Sequence, residues 1–190
     1  PAERKKIENP VQVLKDETDR LDRIVRNFLR ATRRKPLRFE LGQINELISK
    51  TVLFLKPELK ASKIHIREEL DQQMPAFLFD PEGIYQVCLN VIKNAMDAMG
   101  NGGTLRIQTV RKEKLCLIHF QDTGVGIPEN KVSKIFDAYY TTKEEGSGLG
   151  LMIVYQIIRE HGGRIEVASK PNIGTTFTII LPIRTEKLSL

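Results

Sequence analysis

Two asparagines, one aspartate and a glycine cluster are the residues of this chain whose types and spacing suit chemistry. Asn90 and Asn94 lie four apart in Leu89-Asn90-Val91-Ile92-Lys93-Asn94-Ala95, so on a helix their amides share one face. Amides within an apolar helix are costly to bury without partners. They either bond the backbone of a neighbouring loop or serve a ligand. An amide oxygen is a neutral, hard donor suited to Mg²⁺, which keeps several waters and takes other ligands from phosphate. Lys93 points about 100° away from Asn94 around a helix and falls outside the group.

Asp122 precedes Thr123-Gly124-Val125-Gly126-Ile127, where two glycines allow backbone to approach a flat ligand closely. A carboxylate there can accept the exocyclic amino group of adenine. Guanine would set an oxygen against it, at a cost of about 1–3 kcal/mol, or about ten- to a hundredfold. The alternative is an aspartate that only caps its own turn. Further on, Gly146-Ser147-Gly148-Leu149-Gly150-Leu151 runs into an apolar stretch to Ile158. A helix starting there would leave backbone N–H groups free to hold phosphate. Glycines also serve turns and caps for structural reasons alone.

The elements that must position these residues can be read from patterning. Asp80-Pro81-Glu82 is a helix start, with Asp as cap and Pro in the first turn. That helix runs to about Met99 and closes at Gly100-Asn101-Gly102-Gly103. Residues 37–41 read as a short strand and 43–61 as an amphipathic helix bearing Ile44, Leu47, Ile48, Val52 and Leu55. Ile64 and Ile66 alternate with polar residues as a strand, and Ala76–Phe79 forms another. Thr104–Arg111 and Leu115–Gln121 pair through a hairpin at Lys112-Glu113-Lys114. Residues 123–148 are glycine-rich and polar around a short helix near Lys131–Phe136, in the manner of a lid. Helix 149–161 and the strands Arg164–Ala168 and Thr175–Leu181 follow. The sum is an α/β two-layer sandwich, a mixed sheet covered on one face by helices.

Ahead of it, Ile7, Val11, Leu14, Thr18, Leu21, Val25, Phe28 and Thr32 recur at alternating steps of four and three, the period of a packed helix. Pro36 ends it. The chain therefore divides into a helical segment, 1–35, and a globular domain, 36–190. The stripe calls for a dimer or a partner helix. At 190 residues and 41% hydrophobic, the chain can bury a core. Its net charge of +6 is concentrated in residues 1–35, with 11 Lys/Arg against 6 Asp/Glu. Those charges alternate in sign along a helical pattern with no series of stacking aromatics, which favours a solvated helix over a nucleic-acid surface. No apolar run reaches the roughly 20 residues of a membrane span. Cys88 and Cys116, both in apolar segments, suit reduced core thiols in the cytoplasm.

In order and approximate spacing, Asn90…Asn94, Asp122-x-Gly-x-Gly, Phe136 with Thr141-Thr142-Lys143, and Gly146-x-Gly-x-Gly resemble the N, G1, F and G2 boxes of sensor histidine kinases. The nitrogen-regulation type looks most similar, and Arg20-Leu21-Asp22-Arg23-Ile24-Val25 resembles the second helix of that family's dimerisation bundle. The resemblance implies a Bergerat-type fold binding ATP and Mg²⁺ under a lid. It implies Asn94 as the Mg²⁺ ligand and Asn90 as phosphate support. Asp122 would recognise adenine, with Gly124, Gly126 and Ile127 shaping its pocket. Lys143 would meet the terminal phosphates, Gly146, Ser147, Gly148, Leu149, Gly150 and Leu151 would cap the phosphate chain, and Thr175 would bond near Asp122. Related gyrase and chaperone ATPases place a glutamate base one turn before the metal-binding Asn; Asn90 cannot play that part, which favours phosphoryl transfer over hydrolysis. The implied partners are a response regulator and a second copy, through the N-terminal helix.

One departure limits the resemblance. A histidine kinase needs a phosphoacceptor His on its first bundle helix, and none is present. Lys5-Lys6-Ile7-Glu8-Asn9-Pro10 only echoes the family's His-Glu-x-x-Asn-Pro, with Lys5 in the place of His. His65, His119 and His161 read as structural, His161 as a partly cationic group favoured at a helix end. Ala138-Tyr139-Tyr140 stands where the family has Pro-Phe-Phe. The expectation is a catalytic domain with one bundle helix that binds ATP-Mg²⁺ but does not label itself. The rival readings are a serine kinase of the anti-sigma type and a nucleotide-gated interaction module.

Overall fold

The computed structural model describes residues 37–141 and 148–185, together with Lys15 and Thr18. Of the expected helix over 7–32 only Lys15 and Thr18 are described, both helical; the rest lies outside the described residues. In chain order the elements are β1 (Glu40–Gly42), α1 (Ile44–Ala61), β2 (Ile64–Glu69), β3 (Phe77–Phe79), α2 (Pro81–Ala98), β4 (Gly103–Lys112), β5 (Leu115–Asp122), α3 (Glu129–Val132), α4 (Gly150–Glu160), β6 (Arg164–Lys170) and β7 (Gly174–Pro182). Five strands form one mixed sheet in the order β2-β4-β5-β7-β6. Only β2 and β4 run parallel; the other neighbours are antiparallel. The α/β sandwich with helices on one face is therefore the observed architecture. β1 and β3 stand apart, as a separate antiparallel pair rather than members of the main sheet.

α2 is set by its first residues. Asp80 accepts the Glu82 N–H through Oδ1 at 3.2 Å, and Pro81 opens the helix. Ile84, Val87, Cys88, Val91, Ile92 and Ala95 then bury one stripe, the spacing that a helix needs to lie on a sheet. α1 buries Ile44, Ile48, Val52, Leu55 and Leu59 in the same way. Beneath them Ile107, Phe120 and Phe177 form one row across three strands, and Ile118 pairs Ile179 in the next. Because strand side chains alternate, Asp122 shares the helix-facing side with Phe120. It ends that buried row. Cys88 and Cys116 are both buried free thiols, each pushed up to about 12, chiefly by burial.

Two polar clusters hold the layers. At the end of the sheet away from Asp122, Asn45 Nδ2 donates to the Asp71 carbonyl at 2.8 Å. Thr109 Oγ1 accepts from the Asp71 N–H and donates to Asn45 Oδ1, both at 2.9 Å. That ring ties α1 to β4. Behind α2, His161 retains only 3% of its surface. Its Nε2 accepts the Asp80 N–H at 3.0 Å, so Nδ1 carries the proton and donates to the Ile157 carbonyl at 2.7 Å. The Phe39 ring lies against it, centroids 5.2 Å apart. Burial pushes its pKa below the ordinary imidazole range, although the Ile157 carbonyl, Asp80 and Glu160 oppose the fall. His161 is therefore neutral, not the partly cationic helix end that its place before Gly162 implied. The lone pair that binds Asp80 is what selects the neutral form.

A histidine whose folded-state pKa is depressed stabilises above its unfolded pKa and loses that contribution as the pH falls. The thermal midpoint is expected to drop by a few degrees between about pH 6.5 and pH 5.5. His161→Gln, whose amide can accept and donate without titrating, should flatten this limb. An equally steep limb in the variant would assign the transition to other groups.

Candidate functional site

A cavity of about 530 Å³ opens between the ends of the sheet and α2, lined by Asn94, Asp97, Ala98, Asp122, Lys131, Tyr140 and Thr175 among others. Its size is ordinary for a small-molecule site. Asp122 reaches it as the last residue of β5. Asp122 keeps 4% of its surface exposed. Its Oδ1 accepts the Gly124 N–H at 2.8 Å and the Thr175 N–H at 3.2 Å. No described residue bonds Oδ2, which remains available to the cavity. Burial raises the Asp122 pKa, while the Gly124 and Thr175 N–H groups pull it down. The turn-capping alternative is thus true of one oxygen and leaves the other available.

The loop after Asp122 is held on both sides. The Val125 N–H donates to the Ala98 carbonyl at 3.1 Å, binding the loop to the end of α2. The Asn172 N–H donates to the Val125 carbonyl at 2.8 Å, and the Ile127 N–H to Ser169 Oγ at 2.7 Å. Gly126 has φ +68°, and an added Cβ there would lie 2.2 Å from the Lys170 carbonyl oxygen. Only glycine fits. Gly126 and Ile127 line the cavity; Gly124 instead supplies its N–H to Asp122.

On α2, Asn94 lines the cavity. Asn90 lies one turn earlier and donates through Nδ2 to the Gly150 carbonyl at 3.4 Å, a weak bond that leaves its Oδ1 without a partner among the described residues. Lys93 points elsewhere, toward Glu58 at 3.7 Å. α4 begins at Gly150, and its cap residue Leu149 makes no side-chain cap bond; this places the first turn of the helix, through Gly150 and Leu151, at the cavity wall. Gly148, Gly150 and Leu151 line the cavity, whereas Leu149 is buried behind them. Lys143, Gly146 and Ser147 lie outside the described residues. The segment between Ile127 and Tyr140 holds a helix at Glu129–Val132, not at Lys131–Phe136. Single turns follow, closed by the Lys134, Asp137 and Tyr140 N–H groups.

Sequence reading missed several residues here. Asp97 and Ala98 follow Asn94 by about one turn, so helical periodicity could have included them. Lys131 and Ser169 arrive through tertiary packing and carried no local signal, whereas Tyr140 stands in the lid segment that the resemblance marked. Among the described residues no group of three or more His, Cys, Asp or Glu could hold a metal.

These features sit on a known frame. Residues 79–185 match the histidine kinase-, DNA gyrase B-, and HSP90-like ATPase family, and the chain belongs to it. Within that family it is similar to sensor histidine kinases. It is 34% identical over 172 residues to sensor histidine kinase ZraS of Escherichia coli (strain K12), covering 90% of this chain and 37% of ZraS. The catalytic domain of histidine kinase ThkA, nucleotide free, superposes with a TM-score of 0.72 at 31% identity, over 78% of this chain and 97% of that one. ThkA in complex with the response regulator protein TrrA superposes with a TM-score of 0.76 at 25% identity, over 96% of this chain and 53% of that one. The chain thus spans little more than a third of the length of ZraS, and its fold is that of histidine kinase catalytic domains.

Two glycines should behave oppositely on substitution. Gly126→Ala combines a left-handed backbone with a clash and is expected to cost about 2 kcal/mol or more of stability. Gly150→Ala, whose Cβ would meet nothing nearer than Asn90 Oδ1 at 3.7 Å, should leave the unfolding midpoint unchanged or slightly higher. Denaturant titration of both variants checks the contrast.

Proposed function

We propose that the chain is the ATP-binding catalytic domain of a two-component sensor histidine kinase, taking ATP with Mg²⁺. The observation that carries this is the available Oδ2 of Asp122, in a cavity that also borders Gly150 and Leu151 in the first turn of α4. One end can accept an amino group on a flat base, and the other can hold phosphate. Asp122 reads adenine, with Gly126 and Ile127 forming the floor, Gly124 shaping the pocket through its N–H to Asp122, and Thr175 beside it. Asn94 holds Mg²⁺, which when bound neutralises phosphate charge. Asn90 supports the phosphates, as do Gly146, Ser147, Gly148, Leu149, Gly150 and Leu151. Lys143 meets the terminal phosphate.

The same reading assigns the chemistry. Asn90 has an amide where a hydrolase needs a base, and an amide takes no proton at neutral pH. With no base to activate water, the site holds the γ-phosphoryl for transfer to a histidine, and from there to a receiver aspartate. Residues 1–35 are read as the second helix of a dimerisation bundle and 36–190 as the catalytic domain. That placement makes a homodimer and a response regulator the partners and the cytoplasm the compartment. No helix among the described residues is long and apolar enough to cross a membrane.

Calorimetric titration with ATP tests the site. Asp122→Asn, which replaces an acceptor by a donor at the amino-group position, should weaken ATP about ten- to a hundredfold in a folded protein. Asn94→Ala should make the remaining affinity insensitive to added Mg²⁺. Unchanged ATP binding by folded Asp122→Asn would leave Asp122 as a turn cap only.

A further inference from the structure

β6 turns Ile165, Val167 and Ser169 toward the helices, with Arg164, Glu166, Ala168 and Lys170 outward. Two apolar residues and then a hydroxyl on one face break the pattern, and the break falls where β6 pairs Ser169 directly with Thr175. Ser169 Oγ has three neighbours. It accepts the Ile127 N–H at 2.7 Å, faces the Gly174 carbonyl at 3.1 Å and lies 2.9 Å from Thr175 Oγ1.

Those contacts fix where the protons are. A hydroxyl carries one donor and two acceptor lone pairs. The Ile127 N–H can only donate, and the Gly174 carbonyl can only accept, so the Ser169 proton goes to Gly174. The remaining lone pair of Ser169 then takes the proton of Thr175. Thr175 Oγ1 is left with lone pairs alone, and Thr175 lines the cavity next to Asp122. Asp122 Oδ2 is an acceptor as well. Asp122 Oδ2 and Thr175 Oγ1 thus present two acceptors from one part of the cavity wall.

We propose that Ser169 is a specificity-determining positioning residue: by holding the Thr175 hydroxyl proton it keeps both of these groups acceptors, which selects a base edge bearing an amino group over one bearing a carbonyl. Ser169 touches no base itself. It acts through Thr175 and, by anchoring the Ile127 N–H, through the loop that floors the pocket. The proposal rests on the reading of this cavity as an adenine site. Without Ser169, the Thr175 hydroxyl is free to turn its proton inward and meet a guanine carbonyl oxygen.

The test is calorimetric titration of the chain with ADP and with GDP, with the unfolding midpoint recorded for each variant. Ser169→Ala is expected to narrow the ADP-to-GDP affinity ratio by about tenfold, in part by tightening GDP. Ser169→Thr, which keeps the hydroxyl, should restore the wild-type ratio. Loosening of the fold would instead weaken both nucleotides in parallel. A parallel loss, or an unmoved ratio in folded Ser169→Ala, overturns the proposal. If Ser169→Ala does not fold, Thr175→Val decides: loss of an acceptor narrows the ratio by weakening ADP, whereas a ratio that widens or stays put overturns the proposal. Absence of ADP preference in the wild type would overturn the adenine reading itself. A retained preference with an unmoved ratio would overturn only the role of Ser169.

Discussion

A single carboxylate oxygen joins the two strand ends that border this cavity. Asp122 Oδ1 is shared by the Gly124 and Thr175 N–H groups, so the turn leaving β5 and the start of β7 are fixed to one atom. Burying a carboxylate is unfavourable, and here burial does raise its pKa. The two N–H groups offset that cost on one side only. The other oxygen lacks a protein partner among the described residues, which is the condition in which a ligand's donor contributes most. The loop, the glycine that permits it and the strand opposite all follow from keeping that oxygen where it is.

Around this point the fold supplies rigid supports. α2 is capped by Asp80 and carries Asn90 and Asn94 out of an apolar stripe buried on the sheet. Its far end gives the Ala98 carbonyl to Val125. Its near end is tied by the Asp80 N–H to His161, at the close of α4. α4 in turn begins beside Asn90, whose amide donates to the Gly150 carbonyl. A base-reading wall and a phosphate-reading helix end are thereby held on elements that share one core.

Much of this was legible in the sequence. Asp80-Pro81-Glu82 marked the start of α2, and the spacing of Asn90 and Asn94 placed both on one side of it. The β4–β5 hairpin and the place of Asp122 at a strand end were equally plain, because alternation and turn residues are local signals. What failed to show was tertiary. His161 takes its neutral form from a lone pair aimed at a backbone N–H 81 residues away. Ser169 matters through the strand it pairs with, and the small β1–β3 sheet depends on packing rather than pattern. The turns after α3 defeated a helix reading because only single-turn bonds form there. The long N-terminal stripe apart from Thr18, together with Lys143, Gly146 and Ser147, falls outside the described residues.

The central claim is that one cavity binds a nucleotide by its amino-bearing base at Asp122 and its phosphates at the start of α4. A crystal structure of the chain with a non-hydrolysable ATP analogue and Mg²⁺ tests it most directly. The account predicts the adenine amino group within hydrogen-bonding distance of Asp122 Oδ2, and the phosphates against the N–H groups that begin α4, with the metal on Asn94. A base bound elsewhere, or phosphates directed away from α4, would contradict it.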